Sequence, residues 1–188
     1  KYSLEMGKST EEELKVKLDD VSNRVADLSK RVDEATAYVE QLKEGIVLVE
    51  DNVKHHNFTL LLAKTQLDNC MNKLVNQKKK LRSFNLEEQA ADATMEQSSG
   101  FVGINSNAIK QSTKVLTRKI HRQANALRKD INNLQHSCKR RNETYLTEKR
   151  DFTKSVVELA KLRREIRGKS LANGRHLALL HLLKVQEK

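Results

Sequence analysis

The histidines, cysteines and paired carboxylates are the residues of this chain whose types could support catalysis or metal binding. His55 and His56 are neighbours on a predicted helix and point apart, and His176 and His181 also diverge. Neither pair has the spacing of a shared metal site. The sequence contains no phosphate-binding loop, dinucleotide-binding fingerprint or zinc-protease motif. We therefore predict that the protein is not an enzyme, with no catalytic, cofactor-binding or metal site and no cofactor.

The two cysteines, Cys70 and Cys138, are too few for a disulfide framework and form no Cys-x-x-Cys pair. Both coincide with the apolar periodicity described below, which favours their interpretation as small apolar residues. No segment is long and apolar enough to span a membrane, and no signal peptide is evident. We therefore expect no transmembrane segment and a cytoplasmic, cytoskeletal location.

The composition predicts long helices with a thin core. The 188 residues include no proline, no tryptophan and only six glycines, so little interrupts a helix. Apolar residues make up 37% of the chain and charged residues 32%, which is typical of a narrow apolar strip flanked by charge. We predict an all-α fold of two long coiled-coil helices plus a short C-terminal helix. The sequence leaves open whether the long helices form a hairpin or an extended rod.

A heptad pattern dominates the first half of the chain. Alternating steps of four and three residues from Leu14 to Phe84 reach 21 positions, of which 19 are apolar. Such a period predicts a left-handed coiled coil. A weaker pattern of the same kind runs from Ile120 to Ile166. We call these positions the seam, and its main predicted residues are Leu18, Val25, Val32, Val39, Ile46, Val53, Leu60, Leu67, Leu74, Leu81, Leu127, Leu134, Phe152 and Leu159.

Glycine and serine clusters suggest where the helices end. The predicted first helix covers 9–88, a break region 89–112, a second, basic helix 113–168, and a short apolar tail helix 175–188. Since long loops are uncommon in compact proteins, we expect the actual loop to lie near 97–107, with helix on both sides. Gly168 and Gly174 are taken as the signals that end the second helix.

The net charge of +11 is concentrated in the second half. Residues 1–94 contain 15 Lys and Arg against 17 Asp and Glu, whereas residues 95–188 contain 21 against 8. This asymmetry predicts contact with a polyanion. An acidic protein surface such as a microtubule is favoured over nucleic acid, because few aromatic residues are available to stack on bases. The arginines predicted to face the polyanion are Arg118, Arg122, Arg128, Arg140, Arg150, Arg163, Arg164 and Arg167.

The seam is flanked mainly by lysine and arginine. In a parallel homodimer Lys73 would meet Lys78 of its mate, and hardly any opposite charges would pair. A hetero-oligomer with other coiled-coil chains is therefore favoured over a homodimer. In general character the chain resembles long cytoskeletal and ciliary coiled-coil proteins, although no motif identifies a family. The predicted function is that of a structural scaffold engaged in protein–protein interaction, with a nucleic-acid-associated helical protein as the alternative.

Overall fold

The computed structural model describes the backbone of residues 2–100, 102–103 and 105–187, and the side chains of residues 7, 10–100, 102–103 and 105–185. Two helices account for nearly all of these residues: α1, Tyr2–Ser99, and α2, Ser106–Glu187. No strand occurs in this described part of the chain. The prediction of an all-α protein with two long helices is confirmed.

The loop between the helices spans only residues 100–105. The hydroxyl groups of Ser98 and Ser99 donate hydrogen bonds to backbone carbonyls three residues earlier, at 2.8 and 2.6 Å. The second of these bonds reaches the carbonyl of Glu96, one of the last four carbonyl groups of α1, which the end of a helix leaves without backbone partners. The amide of Gly100 donates to the carbonyl of Gln97 at 3.2 Å, which closes the last turn. The loop lies inside the range 97–107 expected from the sequence.

Several predicted boundaries are wrong. Residues 89–99 and 106–112, which the sequence assigned to a break, are helical. The structure shows no separate helix at residues 175–187, because α2 continues through Gly168 and Gly174. Each glycine costs about 1 kcal/mol relative to alanine inside a helix. Packing of the following segment against α1, including the buried side chain of Leu180, offsets this cost.

The chain divides into two compact units, and each contains a segment of both helices. Unit 1 consists of residues 1–55 and 153–188. Its apolar core contains Leu28, Val32 and Leu180. Polar contacts between the helices run from Arg163 with Glu50 to Asn173 with Thr36. Residue numbers rise along α1 as they fall along α2, so the helices of unit 1 are antiparallel.

Unit 2 consists of residues 56–152 and includes the loop. Its core contains Cys70, Leu74, Ile131 and Cys138, with three further leucines packed against them. Thr59 donates a hydrogen bond to Glu148 at 2.8 Å. The helices of this unit are antiparallel as well. Of the two predicted arrangements, unit 2, which contains the loop, therefore adopts the hairpin.

Candidate functional site

The structure places the predicted seam residues between the helices of their own unit, with one exception. The side chains of Val32, Val39, Leu74 and Leu159 are buried, and nine others are half-buried. Leu18 is 56% exposed. The antiparallel pairing within each unit gives these residues an intramolecular partner. The coiled-coil geometry itself remains a prediction.

Cys70 and Cys138 are joined by a disulfide bond across the core of unit 2. Their Cα atoms lie 5.6 Å apart, a usual separation for a disulfide. Both residues are buried as seam positions, but their interpretation as two independent small apolar residues is wrong. A signal was available in the sequence, because a hairpin closing near residue 103 brings positions 70 and 138 opposite each other.

A polar cluster in unit 2 was missed by the sequence analysis. Glu88 is buried and accepts hydrogen bonds from the guanidinium group of Arg128, the shorter at 2.5 Å. The imidazole of His121 lies 2.9 Å from Glu88 through Nδ1 and 2.9 Å from Asp92 through Nε2. Glu88 lies four residues after Phe84, so one further step of the four-and-three pattern places it at the interface.

These contacts shift the pKa values of the groups in the cluster. The hydrogen bond from Arg128 lowers the pKa of Glu88, and the contact with His121 adds to this effect. The hydrogen bond with Asp92, followed by that with Glu88, raises the pKa of His121. Both shifts favour the charged forms. The cluster therefore sets two carboxylates of α1, Glu88 and Asp92, beside two basic side chains of α2, Arg128 and His121, and links the two helices.

Two of the eight arginines predicted to face a polyanion are paired with carboxylates of α1. Arg128 pairs with Glu88 in unit 2, and Arg163 with Glu50 at 2.9 Å in unit 1. Both arginines therefore help to join the helices. The other six are exposed and form no ion pair among the described residues: Arg118, Arg122, Arg140, Arg150, Arg164 and Arg167.

The exposed side of α2 in unit 2 is strongly basic. With Phe152 and Leu134 of the seam at heptad positions a and d, positions b, c and f point away from the seam. Between residues 106 and 152 these positions include one acidic residue, Glu143. The same positions include seven exposed basic residues: Arg118, Lys119, Arg122, Lys129, Lys139, Arg140 and Arg150. We call these seven the basic face. None of the b, c and f residues in this range is Phe, Tyr or Trp, so the basic face lacks the large aromatic side chains on which bases usually stack.

The exposed side of α1 in unit 2 is apolar in part. Phe58, Leu61 and Leu62 lie within little more than one helical turn and are 66%, 55% and 48% exposed. Val75 and Leu86 add exposed apolar surface further along the helix, at 49% and 68%. Clustered apolar groups of this kind are typical of surfaces that bind other proteins.

The remaining features concern chemistry and membranes. No group of three histidine, cysteine, aspartate or glutamate side chains that could hold a metal ion occurs among the described residues. A groove in unit 2 lined by Ala90, Leu116 and Ile120 has a single ionisable side chain in its wall, that of Glu87. None of the described helical segments is sufficiently long and apolar to cross a lipid bilayer.

Comparison of the sequence with protein-family models gives no match, and comparison with curated proteins gives none either.

Proposed function

We propose that the protein is a non-enzymatic structural scaffold, which assembles with other helical chains and lies with its basic face on an acidic cytoskeletal surface such as a microtubule, in the cytoplasm or a cilium. The observation that carries this proposal is that the exposed surface of unit 2 has a basic side and a partly apolar side. Its α2 side is basic, with seven basic residues to one acidic, and its α1 side exposes Phe58, Leu61 and Leu62.

The basic face suits a broad acidic surface better than a nucleic-acid groove. Its charges are spread over residues 118–150 of α2. At a rise of 1.5 Å per residue, this segment is about 50 Å long. Single-stranded nucleic acid is usually held by aromatic stacking, for which this face has no residue. The apolar side of α1 supports assembly with other helices, because burying it against a further helix removes apolar area from water.

Binding to polymerised tubulin, measured by co-sedimentation at two salt concentrations, tests the proposal. Affinity should fall steeply with salt, because each neutralised charge releases counterions. The triple change Arg118→Glu, Arg122→Glu and Arg140→Glu should weaken binding and flatten its salt dependence. All three side chains are exposed and outside the helix interface, so helicity should be unchanged.

A matched control is available on the other helix of the same unit. Lys78, Lys79 and Lys80 are exposed on α1, and their change to glutamate alters the net charge by the same amount. This control should weaken binding much less. Equal losses from both triple variants would contradict a specific basic face. Salt-dependent binding to duplex DNA or RNA, but not to tubulin, would instead favour the nucleic-acid alternative.

A further inference from the structure

A groove in unit 2 opens beside the disulfide bond between Cys70 and Cys138. It has a volume of about 380 Å³ and lies between the two helices. Cys70 is part of its wall, whereas Cys138 is not. The Sγ atom of Cys70 lies 3.9 Å from the carbonyl oxygen of Leu134, a residue that also lines the groove. The sulfur of Cys70 is therefore the one that a small molecule in the groove can reach.

The groove carries positive charge from both helices. Lys73 lies three residues after Cys70 on α1, and Arg141 lies three residues after Cys138 on α2. Each cation is therefore within one helical turn of a cysteine. Both side chains are exposed, and neither forms an ion pair among the described residues. Within the described part of the chain, no carboxylate lines the groove, so its field attracts anions.

Uncharged polar groups complete the lining of the groove. Arg141 donates a hydrogen bond to Oε1 of Gln66 at 3.1 Å, which holds the guanidinium group at the groove. Asn69 and Ser137 add an amide and a hydroxyl group. Such groups donate hydrogen bonds to carboxylate or sulfonate oxygens. The groove therefore combines a disulfide sulfur with two cations and further hydrogen-bond donors.

We propose that this groove binds small thiols that carry a negative charge, and that such a thiol exchanges with the disulfide at Cys70. This reaction goes beyond the proposed scaffold function and does not depend on it. The groove supplies both of its requirements, which are access to one sulfur of the disulfide and attraction for an anionic thiol.

The exchange takes place in two steps. In the first, the thiolate sulfur forms a bond to Sγ of Cys70, the bond between Cys70 and Cys138 breaks, and its electron pair leaves on Cys138 as a thiolate. A second thiolate then attacks the sulfur of the first thiol, which frees Cys70 as a thiolate and releases the two small thiols joined by a disulfide. Two electrons pass from the small thiols to the protein, and both cysteines take up protons from water.

The two cations favour this exchange in two ways. They raise the local concentration of an anionic thiol, and they do not do so for a neutral or cationic one. Arg141, one turn from Cys138, also stabilises the thiolate that leaves in the first step, and a better leaving group speeds the exchange. The preferred reactant is therefore a thiol with a negative charge, and the preferred sulfur is that of Cys70.

The first test compares an anionic with a cationic thiol of the same length, 2-mercaptoethanesulfonate and 2-mercaptoethylamine. Each is added in large excess to the oxidised full chain at low salt, and loss of the disulfide is followed by alkylation and mass spectrometry. The rate constants are expressed per thiolate, and the anionic value is divided by the cationic one. This ratio should be about tenfold higher in wild type than in the chain with Lys73→Gln and Arg141→Gln. Comparing chains cancels the intrinsic difference in reactivity between the two thiols.

A matched control removes two charges outside the groove. Lys80 occupies the same heptad position as Lys73, one heptad further along α1, and Arg140 is the neighbour of Arg141. Both are exposed, and neither lines the groove. In the chain with Lys80→Gln and Arg140→Gln, the ratio should stay within about twofold of wild type, because charges further from the sulfur are screened. Circular dichroism should show unchanged helix content in both doubly changed chains, since all four side chains are exposed.

The second test determines which sulfur reacts. The chain with Cys138→Ala keeps Cys70 as a free thiol, and the chain with Cys70→Ala keeps Cys138. Each is mixed with the disulfide of 2-mercaptoethanesulfonate, and the mixed disulfide that forms on the protein is measured by mass spectrometry. Cys70 should react about tenfold faster than Cys138, because Cys70 lines the groove and Cys138 does not.

Three results would overturn the inference: the same ratio in wild type and in the groove variant, an equal fall in the groove variant and the matched control, or a Cys138 that reacts as fast as Cys70. Each of them leaves the scaffold proposal in place, because binding of polymerised tubulin is measured separately.

Discussion

Reduction of the Cys70–Cys138 disulfide should lower the free energy of unfolding of unit 2. The size of the effect depends on the number of residues between the two cysteines. The bond joins residues separated by 68 positions. In the chain-entropy description, closing a loop of this length lowers the entropy of the unfolded chain enough to contribute about 4 kcal/mol at 25 °C. For a protein of this size, that corresponds to a fall in melting temperature of roughly 8–16 °C.

The measurement is thermal unfolding followed by circular dichroism, with and without a phosphine reductant. Reduction of the wild-type chain is preferable to substitution, because it keeps both sulfur atoms in the core. The chain with Cys70→Ala and Cys138→Ala is the control, and its melting temperature should not respond to the reductant. Equal melting temperatures for the oxidised and reduced wild-type chain would refute the reasoning.

Three further predictions concern other contacts. Leu74→Ala, in the core of unit 2, should lower the free energy of unfolding by about 2–4 kcal/mol in urea titrations, whereas Leu86→Ala, 68% exposed, should change it by less than about 0.5 kcal/mol. Because the pKa of His121 is raised above 6.5, its stabilising contribution is complete below pH 6.5 and lost as the pH rises through the folded-state value. Conversely, the contribution of Glu88, whose pKa is lowered below 4.5, is present above pH 4.5 and lost as the pH falls through its folded-state value. The free energy of unfolding can be measured by urea titration at a series of pH values. His121→Asn should reduce its decrease at alkaline pH, and an unchanged pH profile would contradict this. Asn173→Leu should raise the free energy of unfolding by about 1 kcal/mol, because the buried Oδ1 has no hydrogen-bond partner within the described structure. A lower free energy of unfolding for this variant would show that the amide of Asn173 stabilises the interface.

The disulfide also bears on the proposed location. Cytosolic thiols are generally kept reduced, whereas disulfides persist in oxidising compartments. In a cytoplasmic scaffold, unit 2 would therefore have to remain folded as the dithiol. The apolar contacts of Leu74, Ile131 and their neighbours, together with the Glu88–Arg128 pair, would then hold the helices together. The melting temperature of the reduced chain measures whether they suffice.

The fold could be predicted from the sequence wherever apolar residues mark the helix interface. From Val25 to Leu81 the heptad step follows side chains that the structure buries at least in part. The prediction was wrong near the loop, where the interface positions include Glu88, Ser98 and Thr117, all buried. Polar residues at these positions interrupt the apolar pattern without interrupting the helix. The sequence therefore predicts the end of α1 at residue 88, which is 11 residues too early.

At the far end of α2 the reason for the error is different. The segment following Gly174 is rich in leucine, but Gly168 and Gly174 themselves favour the end of a helix. The interface continues through Asn173, Leu180 and Leu183, which pack on α1. A glycine makes the helical conformation less favourable at its own position. Whether the helix continues is decided by the tertiary contacts that the following residues make. Such contacts cannot be deduced until the pairing of the two helices is known.

The buried polar residues that concealed the helix ends also explain how the register of the hairpin is fixed. A seam of leucine and valine tolerates a shift of one heptad, because one apolar residue then replaces another. Such a shift moves Arg128 away from its place beside Glu88 and breaks the two hydrogen bonds that its guanidinium group donates to this buried carboxylate. In unit 1, Asn173 and Thr36 form a further polar contact of this kind. The register that these contacts select determines which arginines of α2 pair with α1 and which remain exposed on the basic face.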